Sequence, residues 1–172
     1  RNDVKYLLIK DPIGYLTGLE KEKVYYYYPA MRLMQFDGGF SAYGPALENF
    51  RLVYESYNRS TSYYNVSDVR KYKVFEFVKG ARILGKTLPL HDVNIFTTFK
   101  SDKNREFKWS VRTFADEKGN FSCTIPYATK NVKYTVKAMQ PFKAISNNKE
   151  IDFDIDEADI HLGKVIKINF VK

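Results

Sequence analysis

From residue 72 onward, apolar and polar positions alternate in short runs. Tyr72–Val78, Val93–Phe99, Phe107–Phe114, Phe121–Ile125, Lys133–Ala138, Ile151–Ile155 and Val165–Val171 each place every second residue in an apolar position. A strand points successive side chains to opposite faces, so this period predicts half-buried strands. Turn formers separate the runs: Lys79-Gly80, Asp102-Lys103-Asn104, Lys118-Gly119-Asn120, Pro126, Asn147-Asn148 and Gly163. Short strands at this spacing predict an antiparallel β-sandwich.

The first third of the chain has a different pattern. Asp3–Ile9 reads as a short buried strand that Asp11-Pro12-Ile13-Gly14 breaks. Leu19–Met34 opens with charged Glu20-Lys21-Glu22-Lys23 and continues through Val24 and four tyrosines to Pro29. Proline removes a helical hydrogen bond, so a helix here kinks or stops at Pro29, resumes over Ala30–Met34 and ends at Asp37-Gly38-Gly39. Phe50–Ser56 reads as a strand, and 58–67 is a polar surface loop. The boundary falls between Ser56 and Lys73, which divides the chain into 1–60 and 61–172. The predicted fold class is α+β: a small α/β segment with a kinked helix, then an antiparallel β-sandwich.

Length and charge narrow the picture. The chain has 172 residues, enough for a real core. No stretch approaches the roughly 20 apolar residues of a membrane helix. The chain begins inside an element with no signal peptide and reads as a fragment. A formal net charge of +8 attracts polyanions, but the 28 basic residues are scattered and carry no nucleic-acid-binding motif, so no nucleic acid is expected as partner. The single cysteine, Cys123, excludes an internal disulfide and reads as a buried small apolar residue.

Candidate chemistry is sparse. His91 and His161 are far apart and have no nucleophile pattern around them. No glycine-rich phosphate loop occurs. Asp152, Asp154 and Asp156 have the spacing of a calcium loop, but Glu157 stands where that loop needs glycine, and on a strand the three acids form one solvated face. No catalytic residue and no metal ligand is expected within the chain. The run Tyr25–Tyr28 covers every side of a helix and favours packing. Three sequons, Asn58-Arg59-Ser60, Asn65-Val66-Ser67 and Asn120-Phe121-Ser122, are compatible with an extracytoplasmic location.

Several segments, in order along the chain, resemble the catalytic subunit family of oligosaccharyltransferases, its archaeal branch especially. Asp3–Ile9 looks like the strand after the family's WWDYG segment, and Tyr28–Gly38 resembles the end of its kinked helix. Phe50–Ser56 looks like the "FRLVYES" strand of archaeal members, and Lys73–Ile83 resembles their "VKIFEYVKGA" strand. Gly119-Asn120-Phe121 through Pro126–Thr129 is similar to a hairpin of the accessory β-domain.

The resemblance implies a membrane enzyme that moves a lipid-linked oligosaccharide onto the asparagine of N-x-S/T. Its C-terminal globular domain would lie on the extracytoplasmic side of the cell membrane. Mn²⁺ or Mg²⁺ would be held by acids of a membrane part outside this chain, neutralising the leaving phosphate. Residues 1–60 would be the end of the central core, and 61–172 a β-sandwich accessory domain. The family's kinked-helix motif, D-x-x-K-x-x-x-M or -I, is approached by Glu20-x-x-Lys23-x-x-x-Tyr27, with Met31 as the apolar contact in another register. Glu20, Lys23 and Met31 are therefore the candidate contacts to the acceptor sequon. The isolated chain is expected to be inactive. The competing expectation is a non-enzymatic extracellular β-sandwich module that binds glycan or an envelope protein.

Overall fold

The structure is a computed structural model that describes residues 5–10, 27–59 and 69–171. Its elements, in chain order, are β1 (Tyr6–Lys10), α1 (Pro29–Phe36), β2 (Phe50–Glu55), β3 (Tyr72–Phe77), β4 (Ala81–Lys86), β5 (Asp92–Lys100), β6 (Glu106–Phe114), β7 (Asn120–Ile125), β8 (Lys137–Ala138), β9 (Phe142–Ser146), β10 (Lys149–Phe153), α2 (Glu157–Leu162) and β11 (Val165–Asn169). The strands form three sheets. The first has the order β1-β3-β2 and is antiparallel throughout. The second runs β10-β9-β5-β6, with β8 also paired to β5. The third runs β11-β4-β7.

The expected fold class holds: sheets rich in antiparallel pairs, stacked like a sandwich, with two short helices among the described residues. One hydrophobic core joins them. It takes Ile9, Leu33, Met34 and Leu52 from the first third, and Phe99, Trp109, Tyr127, Phe142 and Ile168 from the rest. Trp109, Phe99 and Phe142 are fully buried, with ring centroids 6.2–6.3 Å from Phe142 to each of the other two. The first sheet draws β1 and β2 from before residue 60, and β3 from after it.

The strand pattern differs from expectation at particular places. Strands β4 and β9 and helix α2 were not expected. Lys133–Ala138 contributes only two strand residues, Lys137 and Ala138, although Val136 is buried. The strand expected at Ile151–Ile155 sits two residues earlier. Asp156 then caps α2: its carboxylate accepts from the Ala158 N–H at 2.9 Å, and Asp159 closes the capping box. Gly163, at φ 70, ends the helix. The third sheet also contains a parallel pair, β11 with β4.

Gly85 explains why β4 was hidden. A glycine inside a strand weakens the pattern and often marks a close approach. A Cβ at Gly85 would stand 1.9 Å from the Ile168 carbonyl oxygen and 2.5 Å from the Phe121 ring. The missing side chain is what lets β11 and Phe121 close on β4.

Candidate functional site

Helix α1 is held on all sides. Pro29 occupies its first turn, where the missing N–H costs nothing, and Tyr28 before it is extended. Met31, Arg32, Leu33 and Met34, four consecutive residues, are all buried. Four successive residues cover every side of a helix, so the middle of α1 lies inside the fold, while Pro29 and Ala30 at its start are exposed. It stops at Asp37, which takes the left-handed conformation at φ 52.

The Asp37 side chain starts a buried chain of charges. Its Oδ1 accepts from Lys73 Nζ at 2.7 Å, and Arg105 donates to both its oxygens at 2.8 Å. Arg105 Nε donates to Glu55 Oε2 at 2.6 Å, and Ser101 Oγ donates to Glu55 Oε1 at 2.6 Å. Lys73 Nζ also donates to the Met34 carbonyl at 2.7 Å. Glu55 is 0% exposed and Lys73 is 1% exposed. The network ties α1 to β2, β3 and the β5–β6 turn.

A second network lies on the other face of the first sheet. Arg51 donates through Nε and Nη2 to Glu76 Oε2 at 2.9 and 2.7 Å. It also reaches Glu157 Oε2 and Oε1 at 3.0 and 2.7 Å. The Tyr134 ring covers the guanidinium at 5.1 Å, and Lys5 pairs with Glu76 at 3.0 Å. Helix α2 is thereby pinned to the sheet.

The two networks face opposite ways because of one extra residue. Arg51 pairs across the sheet with Glu76, and Glu55 with Lys73, but the register slips between Leu52 and Tyr54. Residues four apart on a regular strand share a face. The bulge at Val53 turns Glu55 to the face opposite Arg51, so each charge meets its own partner. The Leu52 N–H, next to the bulge, donates to Tyr127 Oη at 2.7 Å.

The charge states follow from this burial. For Asp37, desolvation favours the neutral acid, but Lys73 and Arg105 outweigh it and hold its pKa below the ordinary 3.8. Glu76 is likewise desolvated, and Arg51 and Lys5 hold it below 4.5. Burial pulls the Lys73 ammonium down, and Asp37 only partly restores it. Arg105 is desolvated too, yet Asp37 and Glu55 raise it. These groups neutralise one another and leave no free nucleophile or base.

Two polar groups of α1 lie outside the networks. Arg32 is 7% exposed, and desolvation alone lowers its pKa. Its Nε and Nη2, and Gln35 Oε1, are buried without a hydrogen-bond partner among the described residues. The helix end also borders a cleft of about 280 Å³ whose lining includes Gln35, Phe36, Asp37, Phe40, Arg105 and Lys108.

Of the expected sequon contacts, Met31 is buried on α1 at 2% exposure. Glu20 and Lys23 lie outside the described residues, as do Tyr25, Tyr26, Ser60 and the Asn65–Ser67 sequon. Asn120 of the third sequon is exposed at the start of β7 and donates to Asp116. His91 bonds the Pro89 carbonyl and His161 bonds Glu157, and neither meets a serine or cysteine among the described residues.

The acidic run is divided between jobs. Asp154 pairs with Lys130 at 2.7 Å, Asp156 caps α2, Glu157 holds Arg51 and Asp159 pairs with Lys164 at 2.9 Å. Among the described residues no group of three or more His, Cys, Asp or Glu could hold a metal ion, so they do not fit a Mn²⁺ or Mg²⁺ site. No helix among the described residues is long and apolar enough to cross a membrane.

The buried charges were missed by the sequence reading. Lys73 shares a strand face with Phe75 and Phe77, the one sign of its burial, whereas Glu55 alternates with Arg51 and Val53, opposite Phe50, Leu52 and Tyr54, until the bulge turns it inward.

Comparison with known proteins places this architecture. The fold matches an oligosaccharyltransferase of Archaeoglobus fulgidus in its apo form, with a TM-score of 0.74 at 20% identity. It matches the archaeal oligosaccharyltransferase AglB of the same organism, in complex with an inhibitory peptide and a dolichol-phosphate, with a TM-score of 0.74 at 19% identity. A third structure, tethered through a disulfide bond to an acceptor peptide with the NVT sequon, gives 0.72 at 20%. Each alignment covers 86% of this chain and 23% of the other, so the chain spans about a quarter of those proteins. At such identities the likeness establishes the fold. No curated protein sequence matches significantly. The sequence model of one family does match, over residues 80–166, which is half of the chain. The chain belongs to that family, the archaeal glycosylation protein B long peripheral domain.

Proposed function

We propose that this chain is the acceptor-side peripheral part of an archaeal oligosaccharyltransferase. The parent enzyme transfers a lipid-linked oligosaccharide to the asparagine of N-x-S/T. The observation that carries this reading is membership of the peripheral-domain family over residues 80–166. The fold shared with the Archaeoglobus fulgidus enzymes supports it, because their structures hold an acceptor peptide with an NVT sequon and a dolichol-phosphate.

In this reading the domain lies on the extracytoplasmic side of the cell membrane. Residues 1–60 finish the central core and 61–172 form the accessory β-domain. Mn²⁺ or Mg²⁺ belongs to acids outside this chain, and the chain alone transfers no glycan. Glu20, Lys23 and Met31 help to hold the hydroxyl residue of the sequon. Met31 is buried in α1, so its part is to shape the helix surface that meets the peptide.

The test uses the parent enzyme with a fluorescent sequon peptide and lipid-linked oligosaccharide. Glycan transfer by the parent and none by the 172-residue chain is the expected result. Absence of transfer by the parent would refute the assignment. Glu20→Ala, Lys23→Ala and Met31→Ala should each raise the peptide KM several-fold with kcat kept. Unchanged KM in all three would remove them as contacts.

A further inference from the structure

We propose that Asn120 is a modified residue: it carries an N-linked oligosaccharide whose first sugar lies in the cleft beside β7. Asn120-Phe121-Ser122 has the acceptor spacing N-x-S, and all three residues are among those described. A strand sends alternate side chains to opposite faces. Phe121 is turned inward, where it is 3% exposed and packs on Phe170 with ring centroids 6.0 Å apart. Asn120 and Ser122 are exposed on the outer face, opposite Lys86 and Leu84 of β4. The apolar middle residue anchors the segment, and the two residues that define an acceptor both meet solvent.

The Asn120 amide is held in one orientation. Its backbone N–H donates to Asp116 Oδ1 at 2.8 Å, and its Nδ2 donates to Oδ2 at 3.1 Å and to Oδ1 at 3.3 Å. A glycosylated amide keeps one hydrogen, which is enough for the bond to Asp116.

An open cleft of about 470 Å³ adjoins this amide, and its lining includes Arg82, Leu84, Thr113, Phe114 and Ser122 beside Asn120. Its chemistry suits a saccharide. Arg112 lies 5.3 Å from the Phe114 ring centre, yet Phe114 is still 62% exposed. It offers an apolar surface to the C–H face of a pyranose. The Arg82 guanidinium and the Thr113 and Ser122 hydroxyls supply polar groups for the sugar hydroxyls.

Modification at Asn120 rests on the transferase reading for its sugar donor and for the side of the membrane. In the step, Asn120 Nδ2 bonds to the anomeric carbon of a lipid-linked oligosaccharide. The bond from that carbon to the lipid phosphate oxygen breaks, and its electron pair leaves with the phosphate. One amide hydrogen leaves as a proton, which the phosphate takes up. The segment meets a second, complete copy of the parent while still extended, before β7 docks on β4.

The test takes the parent enzyme from its own membranes, digests it with trypsin and measures the mass of the peptide Gly119–Lys130. Most copies should carry an oligosaccharide on Asn120. Asn120→Gln and Ser122→Ala, made in the same cells, should lose it, and Ser122→Thr should keep it. Phenylglyoxal labelling reports on the cleft: Arg82 should react several-fold more slowly in the glycosylated parent than in Asn120→Gln.

Bare Asn120 in every copy of the unaltered parent would overturn the site, a readout that stands even if a variant fails to fold. If that same preparation transfers oligosaccharide to an added sequon peptide, the function stands while this site falls. Failed transfer beside a glycosylated Asn120 would sink the function and leave the site, its sugar supplied by another enzyme. Modification that survives Ser122→Ala would overturn the assignment to the sequon. Equal Arg82 labelling with and without the sugar would overturn its placement in the cleft.

Discussion

Lys73 Nζ lies 2.7 Å from Asp37 Oδ1, so the middle of the first sheet is fastened to the residue that caps the C-terminal end of α1. Asp37 is also the bidentate partner of Arg105. Its removal therefore strands two buried cations, whereas loss of Lys73 leaves Asp37 still paired. Asp37→Asn is expected to cost about 3–5 kcal/mol, and Lys73→Met clearly less. Urea unfolding of both variants checks the order. A Lys73→Met loss as large as that of Asp37→Asn would mean that Arg105 does not hold the acid.

Acid should weaken the fold through the same carboxylates. Asp37 and Glu76 have folded pKa values below their ordinary 3.8 and 4.5. A depressed carboxylate contributes stability that is fully present above its unfolded pKa and is lost as pH falls through its folded one. The urea midpoint should hold from pH 7 to 5, then fall below pH 4.5. Asp37→Asn should flatten part of that slope, and an unaltered slope would show that Asp37 does not titrate with unfolding.

The bulge at Val53 rests on the hydroxyl of Tyr127. Tyr127→Phe leaves the buried Leu52 N–H without its acceptor, at a cost of about 1–3 kcal/mol. Deleting Val53 removes the extra residue, leaving Arg51 and Glu55 three apart, so a regular strand still turns them to opposite faces and keeps their pairing with Glu76 and Lys73. Calorimetry should find a lowered Tm for Tyr127→Phe and a cooperative transition for the deletion. Loss of the cooperative transition in the deletion would show that the bulge itself, and not the facing of the two charges, holds the strand.

Gly85→Ala tests the packing of the third sheet. The added methyl would meet the Ile168 carbonyl at 1.9 Å, which backbone movement alone relieves. The expected result is fast amide exchange across β11 with β5 and β6 still protected. Protection of β11 unchanged from the parent chain would rule out the close approach.

What was legible in the chain is what period and turns encode. The alternation at Val93–Phe99 and Phe107–Phe114 became β5 and β6, and Phe50–Ser56 became β2, because a single buried face dictates the pattern. β4 was hidden by Gly85, which alternation reads as a break. Helix α2 was hidden inside an acidic run whose Asp156 and Asp159 are capping groups. The buried networks were illegible for another reason. A charge at an interior position gives no sign of its partner until a bulge and a long-range contact supply one. Glu157 reaches Arg51 and Glu76 from α2 only in three dimensions.

The parallel pairing of β11 with β4 sets the order in which this molecule is made. Val165 lies beside Arg82, so the third sheet waits until a loop of about 80 residues has been synthesised and closed. Contacts this distant in sequence slow folding, and until they form, one edge of β4 is open to pairing with other chains. The interval between emergence of β4 and arrival of β11 is thus the period in which this chain most needs protection from its neighbours.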